Sequence, residues 1–188
     1  MMKSESKDLR VRLTRKLLRD ALIQSMKTKH ISEITVKSLC EAAQVNRSTF
    51  YSHYNNPQDL LEQIEQDVME NVERYIEKKE YMVDDLPSVK GIETILEYVK
   101  ENSDIFNVLF SENSNLDFAK SILQLSQIIV FNLNTKYDDK TRDYIAIFGI
   151  SGCISVLKKW LEEGTQETPE RISKFFHQIL YQGIVSFE

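Results

Sequence analysis

Five polar side chains suited to nucleic-acid contacts lie close together in residues 47–53. Arg47 has the planar donor geometry that pairs bidentately with a guanine edge or a phosphate. Ser48 and Thr49 offer hydroxyls to bases or to the DNA backbone, and the methyl group of Thr49 suits a thymine methyl. Tyr51 and His53 are long enough to reach phosphates on the groove wall. Phosphate contacts set position on DNA and base contacts set sequence, so this segment predicts both kinds of contact.

Catalytic and metal-binding patterns are weak elsewhere in the chain. Residues 149–152 (Gly-Ile-Ser-Gly) resemble a nucleophile elbow, but Cys153 stands where the second glycine belongs, and the segment has a helical pattern. The three histidines are scattered, and neither a phosphate loop nor a zinc-protease motif is found. Cys40 and Cys153 occupy apolar helical positions and are predicted to be reduced, buried thiols. We therefore expect a non-enzyme with no metal and no cofactor.

Two short helices must position the polar segment. Thr35 is suited to cap the first helix, whose apolar residues recur at helical spacing. The interruption at residues 44–46 ends with Asn46, a good N-cap for a second helix over residues 47–53. In that helix Phe50 can face the core together with Tyr54, four residues further on. Two short helices joined by a three-residue turn in a basic segment predict a helix-turn-helix.

A longer helix is predicted before this motif, from Asp8 to about Lys27. Its apolar face recurs at helical spacing. The opposite face carries four cations, at Arg12, Arg15, Lys16 and Arg19. Two interpretations of this basic face remain open: a solvated surface, or a surface turned towards phosphates.

Six further helices are predicted from apolar periodicity and from capping residues. Their approximate ranges are 57–80, 88–102, 104–110, 116–136, 140–163 and 170–187. Only 5 Gly and 3 Pro occur, too few for the many tight turns of a sandwich or a barrel. The sequence therefore predicts an all-α chain of nine helices without a confident strand.

Charge divides the chain into two parts. Residues 1–54 hold 11 basic and 5 acidic side chains, a net charge of +6, whereas residues 55–188 hold 13 and 24, a net charge of −11. This asymmetry indicates that the first part meets a polyanion and that the second does not. The N-terminus is polar, and the longest apolar runs are shorter than the ~20 residues that span a bilayer. We expect a cytoplasmic protein without a membrane segment.

Residues 14–61 resemble the DNA-binding head of the TetR/AcrR family of bacterial transcriptional regulators. The resemblance runs through Thr14-Arg15, Ala21, residues 34–43, residues 45–54 and Leu60. It implies an all-helical homodimer with a helix-turn-helix DNA-binding domain over residues 8–54 and a helical dimerisation and effector domain over residues 55–188. By this analogy the phosphate-binding residues are Thr35, Lys37, Tyr51 and His53, and the base-facing residues are Arg47, Ser48 and Thr49, directly after Asn46.

Three departures from the family pattern bear on operator sequence and affinity. Gln44 stands in the turn where the family usually has glycine, so either a left-handed residue there is strained or the turn is shaped differently. Ser48 only loosely matches the small residue that is common before the recognition-helix threonine. Pro57 stands where the family often has lysine, which removes one expected phosphate contact.

The C-terminal part resembles one branch of the same family through Phe148, Gly149, Gly152, Trp160, Gly164 and Pro169. The resemblance implies that the last two helices pair with their symmetry mates in a four-helix bundle. Two roles for Gly149 and Gly152 remain open. They favour close approach of a partner helix, or they relieve crowding within one subunit.

The resemblance implies a repressor that binds a palindromic double-stranded DNA operator and is released by an effector of unknown identity. The alternative is an activator or co-regulator of the same fold whose C-terminal part docks a partner protein. A third reading is a ligand-binding helical protein with a weakened head, which the positive charge of residues 1–54 disfavours. The aromatic residues of the C-terminal part are compatible with a core or with a pocket.

Overall fold

The fold is described from a computed structural model over residues 2–76, 82–83, 86–114, 118, 121–122 and 138–182. Eight α-helices lie in these ranges: α1 Met2–Met26, α2 Val36–Ala43, α3 Arg47–Tyr51, α4 Pro57–Ile76, α5 Val89–Glu101, α6 Ser103–Leu109, α7 Asp139–Glu162 and α8 Pro169–His177. A 3-10 turn spans Ile31–Glu33, and a π-helical turn, Gln178–Gln182, continues α8. The all-α class is confirmed. The predicted helix over 116–136 falls mostly outside the described residues.

One short antiparallel pair corrects the expectation of no strand. Met82–Val83 pairs with Leu86–Pro87, with Val83 opposite Leu86. The two strands are separated by two residues, the shortest usual hairpin interval. Strands of two residues carry no readable alternation, which explains why the sequence pattern missed them.

The predicted capping residues begin their helices as expected. Thr35 accepts a hydrogen bond from the Ser38 amide at 3.1 Å, and Asp138 accepts one from the Thr141 amide at 3.0 Å. Ser88 and Thr168 accept equivalent bonds at the starts of α5 and α8. These bonds satisfy backbone donors that have no partner within the helix. These four helix starts were therefore readable from local sequence. By contrast, α1 begins at Met2 and not at the predicted Asp8, and the predicted cap Asn46 makes no side-chain capping bond.

The chain divides into two compact units. The first, called the head here, comprises Met1–Val68 and Ser111–Asn115; the second, called the body, comprises Met69–Phe110 and Leu116–Glu188. The expected functional division after residue 54 stays a prediction. Helix α4 contributes to both units, because the division falls at residue 68.

The head has an apolar core drawn from four helices and the segment between α1 and α2. Ile31 and Ile34 of that segment are 5% and 6% exposed, although no periodicity predicted their burial. Phe50 of α3 is fully buried. The remaining large apolar side chains of this core are Leu18, Leu22, Ile23, Met26, Leu39, Tyr54, Leu60, Leu61, Ile64 and Val68. Each buried side chain of this size contributes about 1.5–3 kcal/mol relative to exposure, so Phe50 is the main apolar attachment of α3.

A loop that follows α6 completes the head. The Asn113 side-chain amide donates to the Met26 carbonyl at 2.9 Å, and the Ile31 amide donates to the Asn113 carbonyl at 3.1 Å. Ser114 beside it is buried. The last carbonyls of a helix have no partner within the helix, so Asn113 satisfies one at the end of α1. The sequence predicted only a turn at this loop.

The body contains a cluster of aromatic rings. Phe106 lies edge-on to Tyr98 at a centroid distance of 5.9 Å, and Phe118 lies 6.2 Å from Phe106 and 5.3 Å from Phe110. Phe106 and Phe118 are each 1% exposed. Of the two interpretations of the body aromatics, core packing therefore holds for Phe106 and Phe118. Edge-on pairs add about 0.5–1.5 kcal/mol each beyond their buried area.

Candidate functional site

Gln44, in the turn of the helix-turn-helix, has a left-handed backbone conformation. Its φ and ψ are 54° and 39°, and its amide bonds to the Glu41 carbonyl at 3.3 Å. The Val45 amide then bonds to the Cys40 carbonyl at 3.0 Å. A side chain in this conformation costs about 1 kcal/mol. The backbone strain expected at Gln44, where the family usually has glycine, is thus present.

Helix α3 has one inward and several outward residues. The inward residue is Phe50, whose ring lies edge-on to Tyr51 at 5.6 Å and 5.8 Å from the ring of Tyr54. Arg47 and Ser48 are exposed, and Tyr51 is 59% exposed. Because a recognition helix must be anchored on one side and polar on the other, this arrangement fits entry into a groove.

Three of the predicted DNA-contact side chains at the start of α3 have no internal hydrogen-bond partner among the described residues. Asn46 has the extended backbone of an N-cap, yet its side chain makes no capping bond. Ser48 and Thr49 also make no side-chain hydrogen bond there. Their polar groups are therefore free for an external partner, and contact with bases stays a prediction.

The two predicted phosphate-binding residues at the start of α2 differ in whether their side chains already have partners within the chain. Thr35 and Ser38 cap each other reciprocally, because the Thr35 amide also donates to the Ser38 hydroxyl at 3.2 Å. Lys37 is exposed and makes no ion pair with a described residue. The sequence did not indicate Ser38 as the capping partner of Thr35, because capping boxes usually carry Glu or Gln at this position. His53 is half-buried, with its ring 6.1 Å from that of Tyr54.

An exposed apolar face covers part of α7 and α8. Tyr144, Ile147 and Phe148 of α7 are 62%, 50% and 81% exposed, and Phe175 of α8 is 44% exposed. Ile179 in the following π-helical turn is 48% exposed. Tyr144, Ile147 and Phe148 lie at i, i+3 and i+4 and so share one face of α7, and exposed apolar patches mark interaction surfaces in soluble proteins.

The structure supports a role within the subunit for Gly149 but not for Gly152, whose role towards a partner helix stays a prediction. A Cβ at Gly149 would lie 2.9 Å from Cδ2 of Leu180, so this glycine relieves crowding within the subunit. A Cβ at Gly152 would meet no atom within 4 Å. Gly152 therefore leaves room on the open face of α7.

The expectation that no segment could span a bilayer was too strict. Helix α7 has 24 residues and a mean hydropathy of 1.4 in its most apolar window, of which 17% is buried, so it is long and apolar enough by these measures alone. Its glycines and serines interrupt the apolar run without adding charge, which is why run length underestimated it. Length and hydropathy alone are weak evidence of a membrane segment, because interface helices share both properties.

The two cysteines are free thiols; Cys40 is buried as predicted, whereas Cys153 is only half-buried. Burial raises the pKa of Cys153 to about 11 and also raises that of Cys40. A thiol with a raised pKa is a poor nucleophile at neutral pH. Among the described residues, no three His, Cys, Asp or Glu side chains converge into a metal-binding group.

Together, the helix-turn-helix and the helical body define the class of DNA-binding transcriptional regulators. Residues 87–182, half of the chain, match the family model TetR_C_8, described as "Transcriptional regulator C-terminal region". The chain belongs to the TetR family of transcriptional regulators, whose DNA-binding element is a helix-turn-helix.

Known proteins support this assignment at the level of family and fold. An uncharacterized HTH-type transcriptional regulator of Bacillus subtilis (strain 168), YxbF, is 23% identical over 168 residues, which cover 88% of this chain and 44% of the relative. The chain thus spans less than half the length of that curated relative. A TetR transcriptional regulator from Streptococcus agalactiae 2603V has a similar structure, with a TM-score of 0.66, 22% identity and coverage of 94% of this chain and 98% of its own. The dihydroxyacetone kinase operon activator DhaS has a TM-score of 0.62, 17% identity and coverage of 93% and 98%.

Proposed function

We propose that this TetR-family regulator is a repressor that binds a palindromic operator as a homodimer and is released by an effector. The observation that carries the proposal is the division of α3 into a buried anchor, Phe50, and an exposed polar surface without internal partners. Such a surface is stable in water and complementary to a major groove. Repression by blocking polymerase is the default mode that the family resemblance implies.

The exposed apolar face of α7 and α8 supports the homodimer. Gly152 lies one helical turn after Phe148 on α7, and nothing lies within 4 Å of an added Cβ there. Small residues let two helices approach closely, and Phe148 beside Gly152 supplies apolar area. A two-fold axis through this face would present two identical heads, which matches the inverted symmetry of a palindrome.

Selection of bound duplexes from a random DNA pool tests the proposal. The full chain is used at moderate salt, and the Arg47→Ala variant serves as the matched control. We expect enrichment of an inverted repeat whose half-site spacing gives the distance between the two heads. Enrichment of single half-sites would contradict the homodimer, and no enrichment by a folded protein would contradict sequence-specific operator binding.

A second candidate is an activator whose body docks a partner protein. DhaS, which is named as an operon activator, has a similar structure, and this similarity favours the activator as a second candidate function. The same apolar face would then hold the partner. A transcription assay on the selected operator separates the two: a repressor lowers transcript yield from a promoter that overlaps the operator, and an activator raises it.

Release of DNA by an effector is tested with the operator that the duplex selection identifies. Extracts of small molecules are titrated into the protein–duplex complex, and fluorescence anisotropy reports release. A repressor with an effector predicts that one fraction lowers operator affinity without unfolding the protein, because an effector acts by its different affinity for two conformations. We expect the protein to act in the cytoplasm, where regulators of this family meet DNA.

A further inference from the structure

Three leucines of α1 are exposed, on a different side of the helix from its buried face. Leu9, Leu13 and Leu17 are 67%, 56% and 41% exposed, whereas Leu18 and Leu22 are fully buried. The three exposed leucines lie four residues apart, so they form one stripe that spans about 80° of the helix circumference. These three residues are called the leucine stripe here. Neighbouring exposed apolar side chains indicate an interaction surface.

Exposed cations border both edges of the leucine stripe. Arg12 and Lys16 each follow a stripe leucine by three residues and lie along one edge. Arg10, three residues before Leu13, lies along the other edge. None of these cations makes an ion pair or a side-chain hydrogen bond with a described residue. The stripe is therefore an apolar surface with a positive border that the described part of the chain does not neutralise.

The leucine stripe ends at an open groove between α1 and the end of α2. The groove has a volume of about 700 Å³ and shares Leu17 with the stripe. Its walls include three small residues, Ala21 of α1 and Ala42 and Ala43 of α2, together with the carboxylate of Asp20. Small walls leave room for a large apolar side chain from outside. The carboxylate suits a cation or an amide donor at that end of the surface.

Charge and shape disfavour three occupants of this surface. A second copy of the same face would bring the same three cations, and like charges repel. Duplex DNA would place phosphates against leucines, which offer them no hydrogen bond, and against Asp20. An anionic membrane surface cannot enter a groove between two helices, and Asp20 would repel its phosphates. A protein partner with negative charge and an apolar ridge meets none of these obstacles.

We propose that the leucine stripe and the groove beside it dock an acidic amphipathic helix of another protein. Apolar side chains of the partner at i, i+3, i+4 and i+7 lie on the leucines, and one of them enters the groove. Its carboxylates face Arg12 and Lys16, and a basic or amide side chain faces Asp20, which determines the direction of the partner helix. The inference goes beyond the proposed repression, because it assigns a protein partner to the head.

The probes are two synthetic peptides of identical length and composition, each held helical by the same lactam bridge. In the striped peptide, leucines occupy i, i+3, i+4 and i+7 and glutamates border them. In the scrambled peptide, the same residues are spread around the helix. Fluorescence anisotropy with the full chain measures both affinities. We expect the striped peptide to bind more tightly, because only its leucines can cover the stripe together.

Two kinds of variant locate the binding on α1. L13Q/L17Q removes two stripe leucines without changing charge, and we expect it to weaken the striped peptide by about tenfold or more. K16Q should weaken it by about twofold to fivefold at low salt, and less at high salt. K29Q removes an equal charge from an exposed position after α1 and is the matched control, with no change expected. All the substituted side chains are exposed, so thermal unfolding curves should superimpose.

Equal affinity for the two peptides, or no effect of L13Q/L17Q, would overturn the inference. It would also be overturned if L13Q/L17Q abolished binding to phosphatidylglycerol vesicles, self-association in sedimentation or affinity for the selected operator, since the stripe would then serve a membrane, a second copy or DNA. A chain that selects no operator but binds the striped peptide through Leu13 and Leu17 would refute the proposed function and leave this inference standing.

Discussion

The head and the body differ in whether their exposed cations pair with nearby carboxylates. In the body, Lys90, Lys159 and Lys174 each lie within 3.2 Å of a glutamate three or four residues away. In the head, Lys37 and Arg47 have no acidic partner among the described residues. Exposed ion pairs contribute only about 0–1 kcal/mol to stability, so the difference concerns recognition more than folding. Cations left without partners are available to a polyanion.

The two units also differ in where they expose apolar area. The body exposes Phe148 and its neighbours on α7, whereas the recognition helix buries its only phenylalanine, Phe50. A surface of free cations suits DNA, and an uncovered apolar surface suits a second protein chain. The head also exposes Leu9, Leu13 and Leu17 on α1, so the contrast lies between the recognition helix and the α7 face, and the substitutions below test it.

The largest effect is expected for Phe50→Ala. Removal of this fully buried ring should lower the free energy of unfolding by about 3–5 kcal/mol. Urea denaturation followed by circular dichroism measures it. Tyr51→Ala, next to it and 59% exposed, is the control and should change stability by at most about 0.5 kcal/mol. Similar losses for both variants would mean that α3 is not anchored through Phe50.

If the proposed homodimer forms through the apolar face of α7, Phe148→Asp should disrupt it. A carboxylate in the middle of an apolar interface loses its hydration, so we expect dimer dissociation to rise by about 100-fold or more. Sedimentation equilibrium gives the association constant, and helical content should stay unchanged because Phe148 is 81% exposed. Glu162→Gln, an exposed change at the end of α7, is the control. A dimer that survives Phe148→Asp would remove α7 from the interface.

Arg47→Ala and Tyr51→Phe separate base reading from phosphate binding in the head. If Arg47 reads a base, its loss should weaken operator binding by about 1–3 kcal/mol and relax preference at one position. Tyr51→Phe should weaken binding to all sequences alike, because a phosphate contact carries no sequence information. Parallel selections from one DNA pool measure both. A uniform loss for both variants would contradict the base-reading role of Arg47.

The smallest effect on stability is expected for a glycine substitution at one strained turn in each unit. Gln44 in the head and Thr165 in the body have φ values of 54° and 53°. Replacement of either by glycine relieves a left-handed side chain, which we expect to raise the free energy of unfolding by about 0.5–1 kcal/mol. Thermal denaturation of both variants measures it. For Gln44→Gly, operator affinity should stay unchanged; a weaker affinity would show that the Gln44 side chain takes part in DNA binding.

Features that depend on neighbouring residues were predictable from the sequence. The cap at Thr35, the left-handed turn at Gln44 and the proline start of α4 follow from local chemistry, and each is found. The body helices α5 to α8 were predicted for the same reason. On α3, Arg47, Ser48 and Tyr51 are exposed because Phe50 is the residue of this helix that packs inward.

Features that depend on distant residues were not predictable. The burial of Ile31 and Ile34 comes from packing on helices far along the chain, so local periodicity gave no sign of it. The same holds for Asn113, whose partner Met26 is 87 residues away. The separate roles of Gly149 and Gly152 also required knowledge of which atoms lie beside each helix position.

The bond between Asn113 and Met26 has a consequence for how a new molecule matures. Chains are synthesised at about 5–20 residues per second, so Asn113 is added roughly 4–17 s after Met26. Throughout that interval the final carbonyl of α1 has only water as its partner. A nascent polypeptide therefore completes its head only after the codon of Asn113 has been translated, and an mRNA truncated before that codon encodes an unfinished head.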